Sequence, residues 1–336
     1  GRFQKNLRHI VWYYQVNKMK NILVLAYQLS PTKGSEYSVA WNYVIRMSKY
    51  NRLTVLYGAS GEHLGDCSEM EEFAQTNILP NVTFICIKPS NWTNALNWCN
   101  RHNFLNYTFY IAYRSWQKQV YKVVKKLVQN EKFDLIHFVG PIGYREPGYL
   151  WKIDLPYIWG PIGGANKASV ILLSKSPISA KLKFLIRNLL NELQLKYSLR
   201  LKKALTRTDL LLTAISENQK IFKIRFNKNS IYLPENSIAT NIYLNTLKFE
   251  NCTRYRIIVI GRLEAGKVVN ILLEALTMIK NKEKVVVDIV GDGPERHSLE
   301  SFAQKHQLQS IIKWHGKLPR EKAIELFNSA HLHVIT

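Results

Sequence analysis

No apolar run in the chain approaches the ~18 residues that a membrane-crossing helix needs, so no helical span is expected. Cysteine is scarce: Cys67, Cys86, Cys99 and Cys252 form no C-x-x-C pair, which implies neither a zinc site nor a disulfide framework. A reducing cytoplasm is the setting this favours. No secretory signal precedes the four N-x-[ST] sequons at Asn81, Asn91, Asn106 and Asn251, which read as chance in an Asn-rich chain. Also missing are an internal repeat, a clustered carboxylate set for a metal ion, and a helix-turn-helix or aromatic-studded RNA signature. Nucleic acid is therefore not an expected partner, and no metal or cofactor is expected.

Acidic side chains are the remaining shortage. The chain has 47 Lys and Arg against 24 Asp and Glu, a net charge of +23. Between Lys175 and Lys228 there are 13 basic and 3 acidic residues. Within that stretch "AKLKFLIRNLLNELQLKYSLRLKKAL" places Leu182, Leu185, Ile186, Leu189, Leu190, Leu193 and Tyr197 at helical spacing among Lys and Arg. This basic amphipathic helix either packs on its own domain or rests on an anionic membrane surface.

A chain of 336 residues exceeds one ordinary core, so two domains are expected. Residues 1–18 read as an extension before a natural start at Met19. Residues 19–237 then form a first domain, 238–253 a linker, and 254–336 a second domain. Strand-like runs "NILVLAY", "RLTVLYG", "NVTFICIK", "DLIHFVG", "PYIWG", "DLLLTAI" and "SIYLPE" alternate with helical or loop segments, and the alternation restarts with "RIIVIG", "KVVVDIVGDG", "IIKWHG" and "HLHVIT". The fold class is α/β, with two doubly wound parallel sheets.

In such sheets ligands bind beyond the carboxyl ends of the strands, where helix N-termini favour anions. The chain keeps its glycines there: Gly34, then Gly160, Gly163 and Gly164, then Gly291 and Gly293. Arg262 and Lys267 lie five positions apart in the turn between "IIVIG" and the helix that carries Val269, Leu272, Leu273, Leu276 and Ile279. They read either as solvated loop cations or as a pair converging on a diphosphate, Arg as a planar fork and Lys as a point charge. Ser216 and Gln219 read as a capping box. Glu36 falls in a first helical turn, where a carboxylate meets the helix dipole favourably.

These strings together resemble a known family. "GRLEAGKVVNILLEAL", "IVGDGPERHSLE" and "IKWHGKLPREKAIELFNSAHLHVI" look like the second domain of the retaining glycosyltransferases of family 4. "YQLSPTKGSEYSVAWNYV" and "GYREPGYLWKIDLPYIWGPIGGA" look like one bacterial, polysaccharide-building branch of it. The resemblance implies the GT-B architecture and transfer of a hexosyl unit from a UDP or GDP sugar to a polysaccharide or lipid-linked acceptor, with retention and no required metal. It further implies that Arg262 and Lys267 hold the donor diphosphate and that Gly34 and Ser35 approach the same phosphates. Gly293, Pro294, Gly316, Lys317 and Leu318 fall where the nucleotide binds, and Glu36, Gly163 and Gly164 fall toward sugar or acceptor. His137 is carried over as a catalytic-site residue or, because it lies within its strand rather than at the tip, reads as a hydrogen-bonded core histidine. Val268 replaces the glycine that usually follows the lysine, which is expected to stiffen the turn. The family's acidic pair in the next loop lies past Thr336, so these residues alone are expected to bind nucleotide without turnover. Two rival classes stay open, a Rossmann-type oxidoreductase, which the missing G-x-G-x-x-G disfavours, and a non-catalytic binding protein.

Overall fold

The computed structural model describes residues 19–102, 108–167, 169, 178–235 and 252–335. The expected extension at 1–18 and nearly all of the expected linker lie outside these residues. The chain divides into two compact units: 1–167 with 191–239, and 168–190 with 240–336. The second unit therefore takes in 168–190, a segment that the sequence alone places wholly in the first domain.

Every strand expected from the sequence forms. In the first unit β1 (Asn21–Ala26), β2 (Arg52–Tyr57), β3 (Val82–Cys86), β4 (Leu135–Gly140), β5 (Tyr157–Ile162), β6 (Leu210–Thr213) and β7 (Ile231–Tyr232) make one parallel sheet, ordered β3-β2-β1-β4-β5-β6-β7. Strand β1 shows why apolar runs become central strands. Leu23 and Leu25 enter one buried cluster and Ile22, Val24 and Ala26 the other, so successive side chains fill opposite faces. The order reverses direction between β1 and β4, and the loops beyond that point form the crevice where doubly wound sheets bind ligands.

The helices that alternate with these strands are α1 (Glu36–Met47), α2 (Ser68–Thr76), α3 (Asn91–Leu96), α4 (Trp98–Arg101), α5 (Phe109–Asn130), α6 (Ile178–Tyr197), α7 (Leu199–Arg207) and α8 (Ser216–Phe226). Helix α5 buries Ala112, Tyr113, Trp116, Val120 and Val124, a stripe at helical spacing. Three local expectations change. The basic helix is two helices, because Ser198 is extended and its side chain accepts from the Leu201 N–H at 3.2 Å, capping α7. The Ser216–Gln219 capping box does not form: the helix starts at Ser216 itself behind Ile215, and Gln219 Nε2 donates to the Ser230 carbonyl at 2.8 Å. Cys67 and Cys86 form a disulfide, against the expectation of none. Cys67 precedes α2 and Cys86 ends β3, and a parallel crossover brings a helix start to the carboxyl edge of the sheet. No short cysteine spacing announces such a pairing.

In the second unit β8 (Tyr255–Ile260), β9 (Val285–Val290), β10 (Ile312–Gly316) and β11 (Leu332–His333) form a parallel sheet ordered β10-β9-β8-β11. Helices α9 (Val269–Thr277), α10 (Arg296–Lys305) and α11 (Arg320–Ser329) accompany it. Val269, Leu272, Leu273 and Leu276 are buried as their spacing requires, against Val287 and Ile289 of β9. Asp288, 1 % exposed, lies 2.7 Å from His315 Nε2 and 3.2 Å from Arg256 Nε, tying the three long strands together. Among the described residues, no helix is long and apolar enough to cross a membrane.

Candidate active site

The turn that leaves β8 carries Arg262 and Lys267, both exposed, through a short 3₁₀ turn, Ala265–Lys267, into α9. The two residues line one small pocket of about 40 Å³ together with Gly261 and Val269. The pair is thus brought together at the carboxyl end of a strand and the entrance of a helix, where free N–H groups favour an anion. Glu264, which the sequence pattern does not single out although it stands between the two cations, accepts from Arg262 Nε at 2.6 Å. Both side chains are exposed, so this pair is weak and an incoming phosphate can displace it. Val268 takes φ 48° and ψ 36°, the left-handed conformation natural to glycine, and remains 5 % exposed. Val268, where the sequence resemblance leads one to expect glycine, therefore leaves the turn its left-handed geometry and loads it with strain, about 1–3 kcal/mol for such a residue.

Gly291 and Gly293 have packing reasons. A Cβ on Gly291 would lie 1.9 Å from the Gly261 carbonyl oxygen, and one on Gly293 2.3 Å from that of Leu263. The loops after β8 and β9 touch there, backbone to backbone, with Leu263 N–H donating to Asp292 O at 3.1 Å and Gly291 N–H to Gly316 O at 2.7 Å. Pro294 and Lys317 are exposed and Leu318 half-buried beside these loops. Asp292 accepts from the Gly293 N–H and lies 3.6 Å from Arg296, which leaves it a structural part in the loop.

In the first unit the loop from β1 to α1 is tied down. Glu69 accepts from Ser30 and Thr32, each at 2.6 Å, and pairs with Lys33 Nζ at 3.2 Å. At Gly34 a Cβ would meet nothing within 4 Å, so packing alone does not demand the glycine. Ser35 sits at φ 58° and ψ −137° with no capping hydrogen bond from its side chain. Glu36 opens α1 and accepts from the Ile142 N–H. Burial, and then the nearby Glu235 carboxylate, push its pKa up to about 7 despite the helix dipole.

Glu36 faces a cavity of about 310 Å³ that sequence reasoning missed. Its walls are Tyr27, Phe109, Tyr110 and Tyr113, with Glu62 and Glu146 as further carboxylates. These residues come from separate loops and the start of α5, and no spacing in the sequence links them. Glu146 is 6 % exposed, forms an ion pair with Arg200, and has its pKa raised by burial. Gly163 and Gly164, expected at the sugar or acceptor, do not line this cavity. Gly163 instead pairs with Gly143 across the loops after β4 and β5, and the Gly164 carbonyl accepts from Asn191 Nδ2 at 3.2 Å. Pro141 and Gly143, their neighbours in that pairing, reach the cavity.

His137 has no such opening. It is 5 % exposed; its Nε2 donates to the Gly160 carbonyl at 2.8 Å, and its Nδ1 accepts from the Tyr43 hydroxyl at 2.8 Å. Burial lowers its pKa to about 4, so the ring is neutral and both nitrogens are engaged. It is a core histidine that fastens β4 to β5 and α1, the second of its two sequence readings, and it has no place in the site.

Residues 248–336 match the family model described as glycosyl transferases group 1. No curated protein sequence matches the chain. Among solved structures, HepE of Anabaena, in complex with UDP and glucose, is similar with a TM-score of 0.53 at 14 % identity, over 94 % of this chain and 74 % of that one. A glycosyltransferase from Rickettsia africae gives 0.56 at 12 % identity, over 95 % and 73 %. Sucrose-phosphate synthase from Thermosynechococcus elongatus gives 0.52 at 12 %, over 94 % and 75 %. The fold is the Rossmann-like α/β fold of the GT-B glycosyltransferases.

Proposed function

We propose that these residues belong to an enzyme that transfers a hexosyl unit from a UDP or GDP sugar to a polysaccharide or lipid-linked acceptor, with retention at the anomeric carbon. The observation that carries this reading is the meeting of Arg262 and Lys267 in one pocket at the carboxyl end of β8. As the sugar leaves, the diphosphate gains negative charge. Two fixed cations beside a helix N-terminus stabilise that charge more in the transition state than in the bound donor. Gly34 and Ser35 are assigned to the same phosphates, and Gly293, Pro294, Gly316, Lys317 and Leu318 to the nucleotide. Glu36 faces the sugar or the acceptor. No metal or cofactor takes part in this scheme.

The basic face of α6 seats the enzyme on anionic lipid at the cytoplasmic side of a membrane. Leu182, Leu185, Leu189 and Leu193 are exposed rather than packed, which favours this over the purely structural alternative. A reducing compartment would keep Cys67 and Cys86 as thiols, since disulfides persist in oxidising settings. Alkylation of acid-quenched cells checks the location: two modified thiols at these positions support it, and a persistent bond opposes it.

A thermal-shift panel of nucleoside diphosphates and their sugars tests the donor assignment. A ligand at 100 times its Kd adds about 2.7 kcal/mol. Stabilisation by UDP or GDP that is lost in Arg262→Ala supports the reading. No stabilisation by either nucleotide, or stabilisation by NAD instead, overturns it.

A further inference from the structure

The cavity of the first unit is out of character with the rest of the chain. Basic residues outnumber acidic ones 47 to 24, yet among the described residues this cavity is lined by Glu36, Glu62, Glu146 and His63 and by no Lys or Arg. Arg200 neutralises Glu146 through their ion pair, which leaves Glu36 and the exposed Glu62 as the uncompensated carboxylates. Aromatic rings line it as well: Tyr27 and Tyr113, 4 % and 0 % exposed, form a buried backing, and Phe109 and Tyr110 are the rings that reach the surface. Tyr27 and Tyr113 meet edge to face at 4.9 Å, Phe109 stacks on Tyr113 at 5.5 Å, and Tyr110 is 36 % exposed at the margin.

We propose that this cavity is a saccharide subsite that accepts an uncharged or amine-bearing sugar ring and rejects acidic and phosphorylated ones. The inference rests on the glycosyl-transfer reading and gives its acceptor a chemical class. Aromatic faces pair with the C–H faces of a pyranose, while carboxylates accept hydrogen bonds from its hydroxyl groups. A volume of about 310 Å³ is at the small end of ligand clefts, which suits one ring or two. Discrimination comes from charge: a uronate or phosphate meets the Glu62 carboxylate and is tolerated by Glu36 only in its protonated form, whereas an ammonium group meets its opposite. The near-neutral pKa of Glu36 adds a second mode, in which the protonated carboxyl donates a hydrogen bond as well as accepting one.

The test needs no donor. Methyl glucoside, methyl glucosaminide, methyl glucuronide and glucose 6-phosphate are titrated against the whole chain by calorimetry or ligand-observed NMR. The glucoside and glucosaminide should bind, with the glucuronide and the phosphate at least ten-fold weaker. Tyr110→Ala should abolish binding of the first two, and Glu62→Lys should bring the acidic sugars to within a few-fold of the glucoside. Both sites lie at the margin of the cavity, and equal melting temperatures confirm that the variants fold. Acidic sugars binding as well as the glucoside, binding of the first two that survives Tyr110→Ala, or binding of none of the four, overturns the proposal. A parallel UDP and GDP titration separates the two readings. Loss of nucleotide binding with the sugar pattern intact removes the donor assignment alone, and a failed sugar pattern with nucleotide binding intact removes the subsite alone.

Discussion

Both units open in the same way and then diverge. In each, a strand inside the sheet, β1 or β8, leaves through a loop, passes a non-glycine residue at positive φ, Ser35 or Val268, and enters a helix. In the first unit that loop delivers Glu36, a half-buried carboxyl held near neutrality, to an aromatic cavity. In the second it delivers two exposed cations. A net charge of +23 therefore says nothing about the sign at a given strand end. One helix entrance suits the leaving phosphates of a donor, and the other suits the hydroxyl groups of a sugar.

The largest expected effect is on the cationic side. In the enzyme to which these residues belong, Arg262→Ala and Lys267→Ala should each reduce transfer by about 10²- to 10³-fold, the usual loss on removing one preorganised partner of developing charge. Both side chains are exposed, so denaturation midpoints should stay within about 0.5 kcal/mol of the parent. Turnover near normal in both variants would erase the proposed distinction between the two entrances.

On the acidic side the contrast is read through pH. Glu36 has its folded pKa raised from 4.5 to about 7, chiefly by burial. Below 4.5 the carboxyl is protonated in both states, and its favourable contribution to the folded state is fully present. As pH rises toward 7 the unfolded chain releases the proton while the folded chain retains it. Stability should therefore fall over that window, by about 3 kcal/mol. Glu235 titrates nearby with its own raised pKa, so the quantity to measure is the difference between the parent and Glu36→Gln across pH 4 to 8. Parallel stability curves for the two proteins would contradict the assignment.

This contrast shows where sequence reading works and where it stops. All eleven strands among the described residues were legible, because each lies in a short run rich in apolar residues, a signal local to the sequence. Arg262 and Lys267 were legible because both chemistry-bearing residues lie within one turn. The aromatic cavity was not, since Tyr27, Glu62, Phe109 and Glu146 meet only after β1, β2 and β4 align. His137 was left between two readings for the opposite reason: its place within the strand hinted at burial, but its partners Tyr43 and Gly160 are 94 and 23 residues away. Glycine proved ambiguous. Gly293 is required by a neighbouring backbone, whereas Gly34 has open space around it.

The exposed surface adds a third charge environment. Helix α6 presents Leu182, Leu185, Leu189 and Leu193 to solvent among lysines and arginines. Vesicles with anionic lipid should bind the chain about ten-fold more tightly than neutral vesicles at 0.1 M salt, and 0.5 M salt should remove most of the difference. Equal binding to both vesicles would return the helix to a purely structural role.

The smallest effects are also the most direct test of the shared loop geometry. Ser35 and Val268 both occupy conformations that favour glycine, but Ser35 is exposed and uncapped while Val268 is 5 % exposed. Ser35→Gly removes strain and loses no burial, so it should raise stability by about 1 kcal/mol. Val268→Gly removes similar strain and also loses a buried side chain worth about 1.5–3 kcal/mol, so the result should be a net loss of about 1 kcal/mol. Val268→Ala loses most of that burial and keeps the strain, and should therefore be less stable than Val268→Gly. This reverses the usual order, in which alanine exceeds glycine by about 0.5–1 kcal/mol in a helix or strand. Chemical denaturation of the three variants decides the matter. If Val268→Ala is the more stable of the two, the turn carries no left-handed strain, and the likeness between the two helix entrances is lost.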